Sequence, residues 1–251
     1  MDKDKKATRS NKKELPDNMN RGMRLFIKRS INLFLHLFFR IRYINKENLP
    51  VEGPALVIAN HKSLLDIPAL CVNVEPWFYF VAKKELYNSW IGSRFLPWWG
   101  AVQMDRDNVG MGSVREIMGL LRRNKHVMMF PQGTRVKDES RREDYPAHSG
   151  TMLFATKLKA PVVPVCIKGK FRLFGRVDVV FGKPMYLRPM PKGANSKELR
   201  ERMNEDLMRF IYDLGDHPDT ATPPASIAYS MEELAELKTQ TDSKRSKVTD
   251  L

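Results

Sequence analysis

Short apolar runs alternate with segments of helical periodicity through the middle of the chain. Runs with the length and composition of strands buried on both faces lie at 55–59, 78–82, 101–104, 127–130 and 162–167. Between them, apolar residues recur at spacings of three and four over 111–123 and 151–158. This alternation predicts an α/β fold with a largely parallel central sheet flanked by helices. A strand at 177–181 and a helix at 196–214 complete a predicted domain over residues 45–215.

An amphipathic helix is predicted ahead of this domain, over residues 19–44. Its apolar positions share one face: Met23, Ile27, Ile31, Phe34, Phe38 and Ile41. Basic and polar residues follow the same spacing on the opposite side: Arg24, Lys28, Asn32, His36 and Arg40. A helix that packs on the protein's own core is one interpretation. The basic polar face and the bulky apolar residues favour the other, a helix that lies in the membrane interface.

The two ends of the chain are polar. Residues 1–18 form a Lys-rich arm that we expect to be disordered, and residues 216–251 form a polar tail with one short helical stretch at 231–237. The first residues do not have the pattern of a secretory signal, and no run approaches the eighteen or so apolar residues of a membrane span. We therefore expect contact with one leaflet and a peripheral or monotopic protein.

Charge and composition narrow the possible partners. The formal charge is +14 at pH 7, which predicts an anionic partner such as a lipid surface, a phosphate substrate or nucleic acid. Nucleic acid is disfavoured because the aromatic residues lie in apolar runs and are not interleaved with the cations. The two cysteines, Cys71 and Cys166, and the five histidines form no ligand cluster. The sequence therefore predicts neither a metal site nor another cofactor.

One His and one Asp follow the first predicted strand. A side chain leaving the carboxyl end of such a strand sits where α/β folds place their ligands, and His61 is in that position. Asp66 comes five residues later, a spacing that suits a His in the turn and an Asp in the first turn of the next helix. Asp66 could then accept a hydrogen bond from one imidazole nitrogen, leaving the other to take a proton. The alternative is a helix-capping Asp beside a surface His.

Cations follow three other predicted strands. Lys83 and Lys84 come after 78–82, Arg106 follows 101–104, and Arg135 lies in the segment Phe130–Arg135. In that segment Gly133 permits a tight turn, Thr134 offers a hydroxyl, and an arginine such as Arg135 can bind a phosphate through two hydrogen bonds. The carboxyl ends of parallel strands meet at one edge of a sheet, so these groups are expected near His61.

Taken in order, these segments resemble the motifs of the glycerolipid acyltransferases of the 1-acyl-glycerol-3-phosphate acyltransferase type. Asn60–Asp66 matches their His-x4-Asp motif, and Gly100–Arg106 matches the second motif, which ends in Asp-Arg. Phe130–Arg135 matches Phe-Pro-Glu-Gly-Thr-Arg, and Val163–Val165 matches the fourth, Pro-centred motif. The resemblance covers about residues 20–190.

The resemblance implies residue roles and a reaction. His61 would be the general base and Asp66 its orienting partner. Arg106, Arg135 and a lysine near Lys84 would surround the acceptor phosphate, together with Gln132, Gly133 and Thr134. The implied reaction moves a fatty acyl group from acyl-CoA or acyl-carrier protein to the sn-2 hydroxyl of lysophosphatidic acid. It would take place at an anionic membrane surface on the cytoplasmic face.

Two alternatives to this function stay open. One is an enzyme of the same superfamily that acylates another lysophospholipid or glycerol 3-phosphate. It stays open because of one departure from the family pattern: Gln132 stands where the family usually has Glu, which keeps the shape and an acceptor oxygen but loses the charge. The other is a non-catalytic module that binds anionic lipid, in which His61 and Asp66 would have no chemical role.

Overall fold

The computed structural model describes residues 21–104, 111–147, 156, 160–189, 196–230, 232–234 and 236. The strands are β1 Arg40–Ile44, β2 Ala55–Ala59, β3 Phe78–Lys83, β4 Ala101–Met104, β5 His126–Met129, β6 Val162–Gly169 and β7 Arg176–Phe181. The α-helices are α1 Arg21–Phe38, α2 Asp66–Val72, α3 Trp90–Trp99, α4 Met111–Arg122 and α5 Ser196–Asp216. Short 3-10 helices lie at Lys46–Asn48, Lys84–Asn88 and Glu139–Asp144.

The strands form one seven-stranded sheet in the order β1-β7-β6-β2-β5-β3-β4. Neighbouring strands run parallel except β6 and β7, which form an antiparallel hairpin. The prediction of a largely parallel sheet is therefore confirmed. Because β2, β3, β4 and β5 point the same way, their carboxyl ends share one edge of the sheet, which we call the carboxyl edge.

Helices cover both faces of the sheet. One apolar cluster joins the sheet to α4 and α5, through residues such as Ile117 and Leu207. The other joins the opposite face to α1, α2 and α3, through residues such as Leu35, Leu70 and Leu96. The chain is thus a three-layer α/β structure whose strands are buried on both sides, which explains why they read as unbroken apolar runs.

The strands predicted from apolar runs are all present, and so are the helices predicted at 111–123 and 196–214. The helix predicted over 151–158 lies outside the described residues except for Thr156. The stretch at 231–237 is described only at 232–234 and 236, which are helical. The arm at 1–18 and the end of the tail also lie outside the described residues.

The helix predicted over 19–44 is wrong at its carboxyl end. It stops at Phe38, and Arg40–Ile44 is the edge strand β1, paired in parallel with β7. The alternation of Arg40, Ile41 and Arg42 is the reason, since its period of two buries Ile41 against the sheet and leaves both arginines exposed. Arg42 then forms an ion pair with Asp178 on β7, with a distance of 2.8 Å.

Helix α1 contacts the domain through a lysine that the sequence placed on its outer, polar side. Lys28 Nζ donates hydrogen bonds to the backbone oxygens of Val74, Glu75 and Pro76, at 2.7, 3.1 and 2.9 Å. Burial lowers the pKa of Lys28. Leu35 packs fully buried beside α2. The helix therefore does pack on the core, and it does so along the boundary between its apolar face and its polar face.

That orientation exposes two residues of the predicted apolar stripe, Met23 and Phe34, together with four further apolar residues of α1. We call this surface the α1 outer face: Met23, Leu25, Phe26, Leu33, Phe34 and Leu37. Exposed apolar patches of this size mark interaction surfaces. In the described part of the chain, no helix combines the length and the hydropathy that a membrane crossing requires.

Candidate active site

The end of β2 is fixed to its neighbour by a buried amide. Asn60 Nδ2 donates to the backbone oxygen of Ile167 at 3.0 Å, and the backbone N–H of Ile167 donates to Asn60 Oδ1 at 2.7 Å. Asn60 is fully buried, so these two hydrogen bonds satisfy both ends of its amide in a water-free setting. The end of β2 is therefore held against β6 at the point where the chain leaves the sheet toward His61.

His61 and Asp66 form a hydrogen-bonded pair at the carboxyl edge. His61 Nδ1 lies 2.7 Å from Asp66 Oδ2, and the same oxygen accepts hydrogen bonds from the backbone N–H groups of Lys62 and Ser63 at 2.6 and 2.7 Å. Asp66 is fully buried, while 12% of the His61 side chain is exposed. Because Nδ1 donates to Asp66, Nε2 is the ring nitrogen that can accept a proton.

The local sequence explains this geometry. Residues 62–65 turn sharply and α2 begins at Asp66, as the five-residue spacing predicted. A carboxylate in the first turn of a helix lies near backbone N–H groups and is stabilised by them. The two N–H groups hold the carboxylate in place independently of His61. Asp66 is thus positioned by the backbone, and His61 is positioned by Asp66.

The loop after β5 supplies the other side of the imidazole. The ring of Phe130 stacks on His61 with centroids 4.2 Å apart, and the N–H of Val136 donates to His61 O at 2.8 Å. Gly133 makes the turn with a positive φ of 64°, and its N–H donates to Phe130 O at 3.0 Å. Glycine suits this conformation because it has no Cβ. The loops after β2 and β5 are therefore joined around the His61 ring.

Gln132 links this site to α5. Its Nε2 donates to the hydroxyl of Tyr212 at 3.1 Å, and its Oε1 is 3.4 Å from the backbone nitrogen of His61. Gln132 is buried, and burial raises the pKa of Tyr212, which stays a neutral phenol. Arg142 lies 4.9 Å above the Tyr212 ring. Gln132 is therefore a support for the His61 loop as well as a lining residue.

A cavity of about 890 Å³ opens beside this pair. Lys83 and Arg135 bring positive charge to it, whereas Asp144, Glu201 and Glu205 bring negative charge. The remaining lining includes His61, Leu64, Leu86, Gln132, Gly133, Thr134, Tyr145 and Asn204. The cavity thus places a base, two cations and a loop with a tight turn around one space large enough for a small-molecule headgroup.

The predicted site residues are not all brought together. Of the two lysines after β3, Lys83 lines the cavity, while Lys84 lies one residue further on, in the 3-10 helix, and its role stays a prediction. Arg106 lies outside the described residues. Tyr212 was missed, since nothing near it in the sequence carries a motif.

Neither cysteine is placed to act as a nucleophile. Cys71 and Cys166 are buried in the two apolar clusters, and burial raises the pKa of each thiol to about 12. A thiolate, the reactive form, is therefore disfavoured at both positions. Among the residues that the structure describes, no three His, Cys, Asp or Glu side chains come together as a metal site would need.

Comparisons with known proteins agree with this geometry. The family model described as Acyltransferase matches residues 40–168. A 1-acyl-sn-glycerol-3-phosphate acyltransferase from Bacillus subtilis is 33% identical over 75% of this chain and 95% of its own length. A protein of the same name from Streptococcus pneumoniae is 27% identical over 68% of this chain and 63% of its own.

A solved structure has the same fold. The crystal structure of PlsC from Thermotoga maritima, a 1-acyl-sn-glycerophosphate acyltransferase, superposes with a TM-score of 0.54 at 26% identity, covering 77% of this chain and 82% of that one. Its α/β architecture is the one found here. The matched residues 40–168 include β1, which sequence periodicity had assigned to the preceding helix, and they contain both His61 and Asp66. On the strength of these matches, the chain belongs to the acyltransferase family and is an O-acyltransferase.

Proposed function

We propose that the protein transfers a fatty acyl group from a thioester donor to the free sn-2 hydroxyl of 1-acyl-glycerol-3-phosphate, giving phosphatidic acid. The observation that carries this is the His61–Asp66 pair, with Nε2 of the imidazole as the proton acceptor, beside a cavity that holds Lys83 and Arg135. The names of the relatives in B. subtilis and S. pneumoniae support the same acceptor. The donor in this proposal is acyl-CoA or acyl-carrier protein.

The reaction needs one base and no protein nucleophile. His61 Nε2 takes the proton of the acceptor hydroxyl as that oxygen attacks the thioester carbonyl carbon. The tetrahedral oxyanion collapses, the carbon–sulfur bond breaks, and the leaving thiolate takes the proton from the imidazolium. Asp66 stabilises the imidazolium through the 2.7 Å hydrogen bond to Nδ1.

Positive groups at the carboxyl edge would bind the acceptor phosphate. Arg135 and Lys83 line the cavity, and the guanidinium can make two parallel hydrogen bonds to phosphate oxygens. We add Arg106 from the resemblance of Gly100–Arg106 to the second family motif. This phosphate would fix the acceptor so that its hydroxyl meets His61.

Donors for the oxyanion are proposed in the loop after β5. The N–H of Gly133 already donates to Phe130 O, which makes it a poor candidate. The N–H groups of Thr134 and Arg135 follow directly in the cavity lining, and the Thr134 hydroxyl lies with them. Preorganised donors of this kind stabilise developing negative charge in acyl transfer.

The most informative experiment detects release of free thiol from acyl-CoA. We expect release only when a lysophospholipid acceptor is present, with lysophosphatidic acid preferred over lysophosphatidylcholine and glycerol 3-phosphate. A faster reaction with one of the other acceptors would assign that substrate instead. Binding to anionic vesicles without thiol release, from either acyl-CoA or acyl-carrier protein, would leave only a lipid-binding module.

We place the reaction at the cytoplasmic surface of a membrane. The α1 outer face supplies exposed apolar side chains, and the excess of Lys and Arg supplies attraction to anionic lipid, at about 1 kcal/mol per residue near the surface. Lysophosphatidic acid is itself a membrane lipid. An enzyme attached to the bilayer through α1 would therefore meet its acceptor without extracting it into water.

Replacing the centre of the α1 outer face should detach the protein from vesicles. The change is Phe26→Gln with Leu33→Gln and Leu37→Gln, all at exposed positions, and we expect binding to anionic vesicles to weaken on the order of a hundredfold. Co-sedimentation measures this. Tyr186→Gln, at a partly exposed aromatic residue outside α1, is the control and should bind as the parent does. Unchanged vesicle binding by the triple variant would remove α1 from the membrane contact.

Gln132→Glu tests whether the departure at this position changes the acceptor. A carboxylate there could still accept hydrogen bonds from the Tyr212 hydroxyl and the His61 N–H, so we expect KM for lysophosphatidic acid to stay within a few-fold. A gain in lysophosphatidic acid turnover of tenfold, about 1.4 kcal/mol in the transition state, would contradict this and favour another natural acceptor. Tyr212→Phe is the comparison variant, because it removes the hydrogen bond between residues 132 and 212, which Gln132→Glu can keep, and adds no charge.

A further inference from the structure

The hairpin between β6 and β7 extends beyond the carboxyl edge. Strand β6 pairs with β2 as far as Val165 opposite Ala59, and then continues to Gly169, about 13 Å further at the rise of a strand. The chain returns in β7 from Arg176. The turn at 170–175, which we call the hairpin tip, therefore projects on the side of the sheet where His61 lies.

Two large apolar side chains on the hairpin tip face solvent. Leu173 is 65% exposed and Phe174 is 61% exposed. Lys170, Arg172 and Arg176 are exposed beside them. A short segment that alternates cations with bulky apolar residues suits the boundary between anionic headgroups and acyl chains. The tip thus has the composition of a membrane-contact segment, without the length of a helix.

Phe174 adopts a backbone conformation that a bulky aromatic rarely takes. Its φ is +56°, in the left-handed region that favours Gly and Asn. No described core cluster includes its ring, so packing does not explain the residue. Strain kept at an exposed position of this kind points to a functional constraint on the side chain.

The hairpin tip is attached to the end of α1. The N–H of Phe174 donates to Phe38 O at 2.7 Å, and the N–H of Arg40 donates to Gly175 O at 2.9 Å. The ring of Phe171 meets that of Phe39 edge-on, with centroids 5.5 Å apart. Leu37 of the α1 outer face immediately precedes Phe38, whose backbone oxygen accepts the hydrogen bond from the tip. The hairpin tip is therefore held beside the carboxyl end of α1, where the α1 outer face also ends.

We propose that the hairpin tip is a second membrane-contact element, which inserts Leu173 and Phe174 into an anionic bilayer beside α1. This proposal rests on the proposed function in one respect: the lipid acceptor of that function lies in the membrane. Two contacts, one along α1 and one at the tip, fix the tilt of the domain. With the tip inserted, the carboxyl edge and the cavity beside His61 turn toward the headgroups.

The first test combines Leu173→Ser with Phe174→Asn. Binding to vesicles of phosphatidylglycerol and phosphatidylcholine should weaken by about tenfold, because the variant loses two apolar side chains that would be partly buried in the bilayer. Asn suits a positive φ, so the thermal midpoint should stay the same or rise. Val51→Ser is the matched control, because Val51 is 56% exposed but precedes β2 at the opposite edge of the sheet. Full vesicle binding by the double variant overturns the proposal.

A second test reports insertion at the tip itself. Leu173→Cys can be labelled with an environment-sensitive fluorophore without removing the native thiols, because Cys71 and Cys166 are both buried. The emission should shift to shorter wavelength when anionic vesicles are added, and Val51→Cys should give no shift. Equal responses at both positions would contradict a defined orientation.

Activity measurements separate this proposal from the proposed function. With a short-chain lysophosphatidic acid in free solution, the double variant should match the parent, whereas with long-chain acceptor in vesicles its rate should fall about tenfold. Loss on the soluble acceptor as well would mean that the tip serves the active site and not the membrane. A rate that falls only with acyl-carrier protein, with normal vesicle binding, would assign the tip to that acidic protein. A parent without transfer in any assay would refute the proposed function alone.

Discussion

His61→Ala is expected to lower kcat/KM for acyl transfer by about two to four orders of magnitude, the usual loss when a general base is removed. The expected fall is in kcat, since the acceptor phosphate would still be bound by Arg135 and Lys83. The imidazole also packs against Phe130, so the variant leaves a gap beside that ring. Thiol release from acyl-CoA with lysophosphatidic acid measures the rate, and circular dichroism verifies the fold.

His217→Ala is the matched control for this experiment. His217 lies after α5 with its Nε2 3.9 Å from Asp213 Oδ1, so it is also a His beside a carboxylate, but both side chains are exposed. We expect full activity from this variant. Activity of His61→Ala within tenfold of the parent would remove His61 from the mechanism and return the His–Asp pair to a structural role.

Asp66→Asn is expected to reduce kcat/KM by about two orders of magnitude. An amide at this position leaves the imidazole in the wrong tautomer if its NH2 group faces Nδ1. In the structure, two backbone N–H groups and His61 Nδ1 all meet Oδ2. An amide oxygen must occupy that place, and it can still accept the Nδ1 proton. What the variant loses is the negative charge that stabilises the imidazolium.

Stability measurements complete the test at Asp66. The amide nitrogen of Asn would take the position of Oδ1, which is buried and has no hydrogen-bond partner among the described residues. A buried donor without an acceptor costs about 1–3 kcal/mol, so the free energy of unfolding should fall by that amount. Asp66→Ala, which removes the oxygen as well, should lose more of both activity and stability. A loss of stability with full turnover would make Asp66 purely structural.

The strands that were predicted correctly are those buried on both faces of the sheet. Strands β2, β3, β5 and β6 lie inside the sheet with helices on both faces, so their sequences are continuous apolar runs. Strand β1 is an edge strand with alternating exposure, and it follows α1 after a single residue. Its two isoleucines also fit the period of the preceding helix. Only pairing with β7, more than a hundred residues away, distinguishes the two conformations.

Helix α3 shows a second limit of sequence patterns. The segment Trp90–Trp99 contains Gly92 and Pro97, and its apolar residues do not form a narrow stripe. No helix was predicted over this segment. The helix ends at Gly100, which has a positive φ of 93° and donates to the oxygens of Leu96 and Pro97. Such an ending is visible only when the backbone is known.

In the site, local geometry was predictable and long-range support was not. His61 and Asp66 are five residues apart, and the strand–turn–helix pattern was enough to predict their hydrogen bond. Gln132 and Tyr212 are joined across 80 residues by the packing of α5 on the sheet. Neither residue type is unusual for a surface or a core. Their hydrogen bond therefore could not be predicted from the sequence.

The attachment of α1 by Lys28 has a consequence for how the helix responds to lipid. Lipid tails compete with a protein only for apolar side chains, and a helix held by apolar contacts alone could be drawn off its domain. Hydrogen bonds from an ammonium group to three carbonyl oxygens become stronger as water is excluded. Lipid that covers the α1 outer face would therefore tighten the joint between helix and domain. The same hydrogen bonds restrict the rotation of α1 about its own axis, so a helix bound to a bilayer as proposed would hold the active site in a defined orientation.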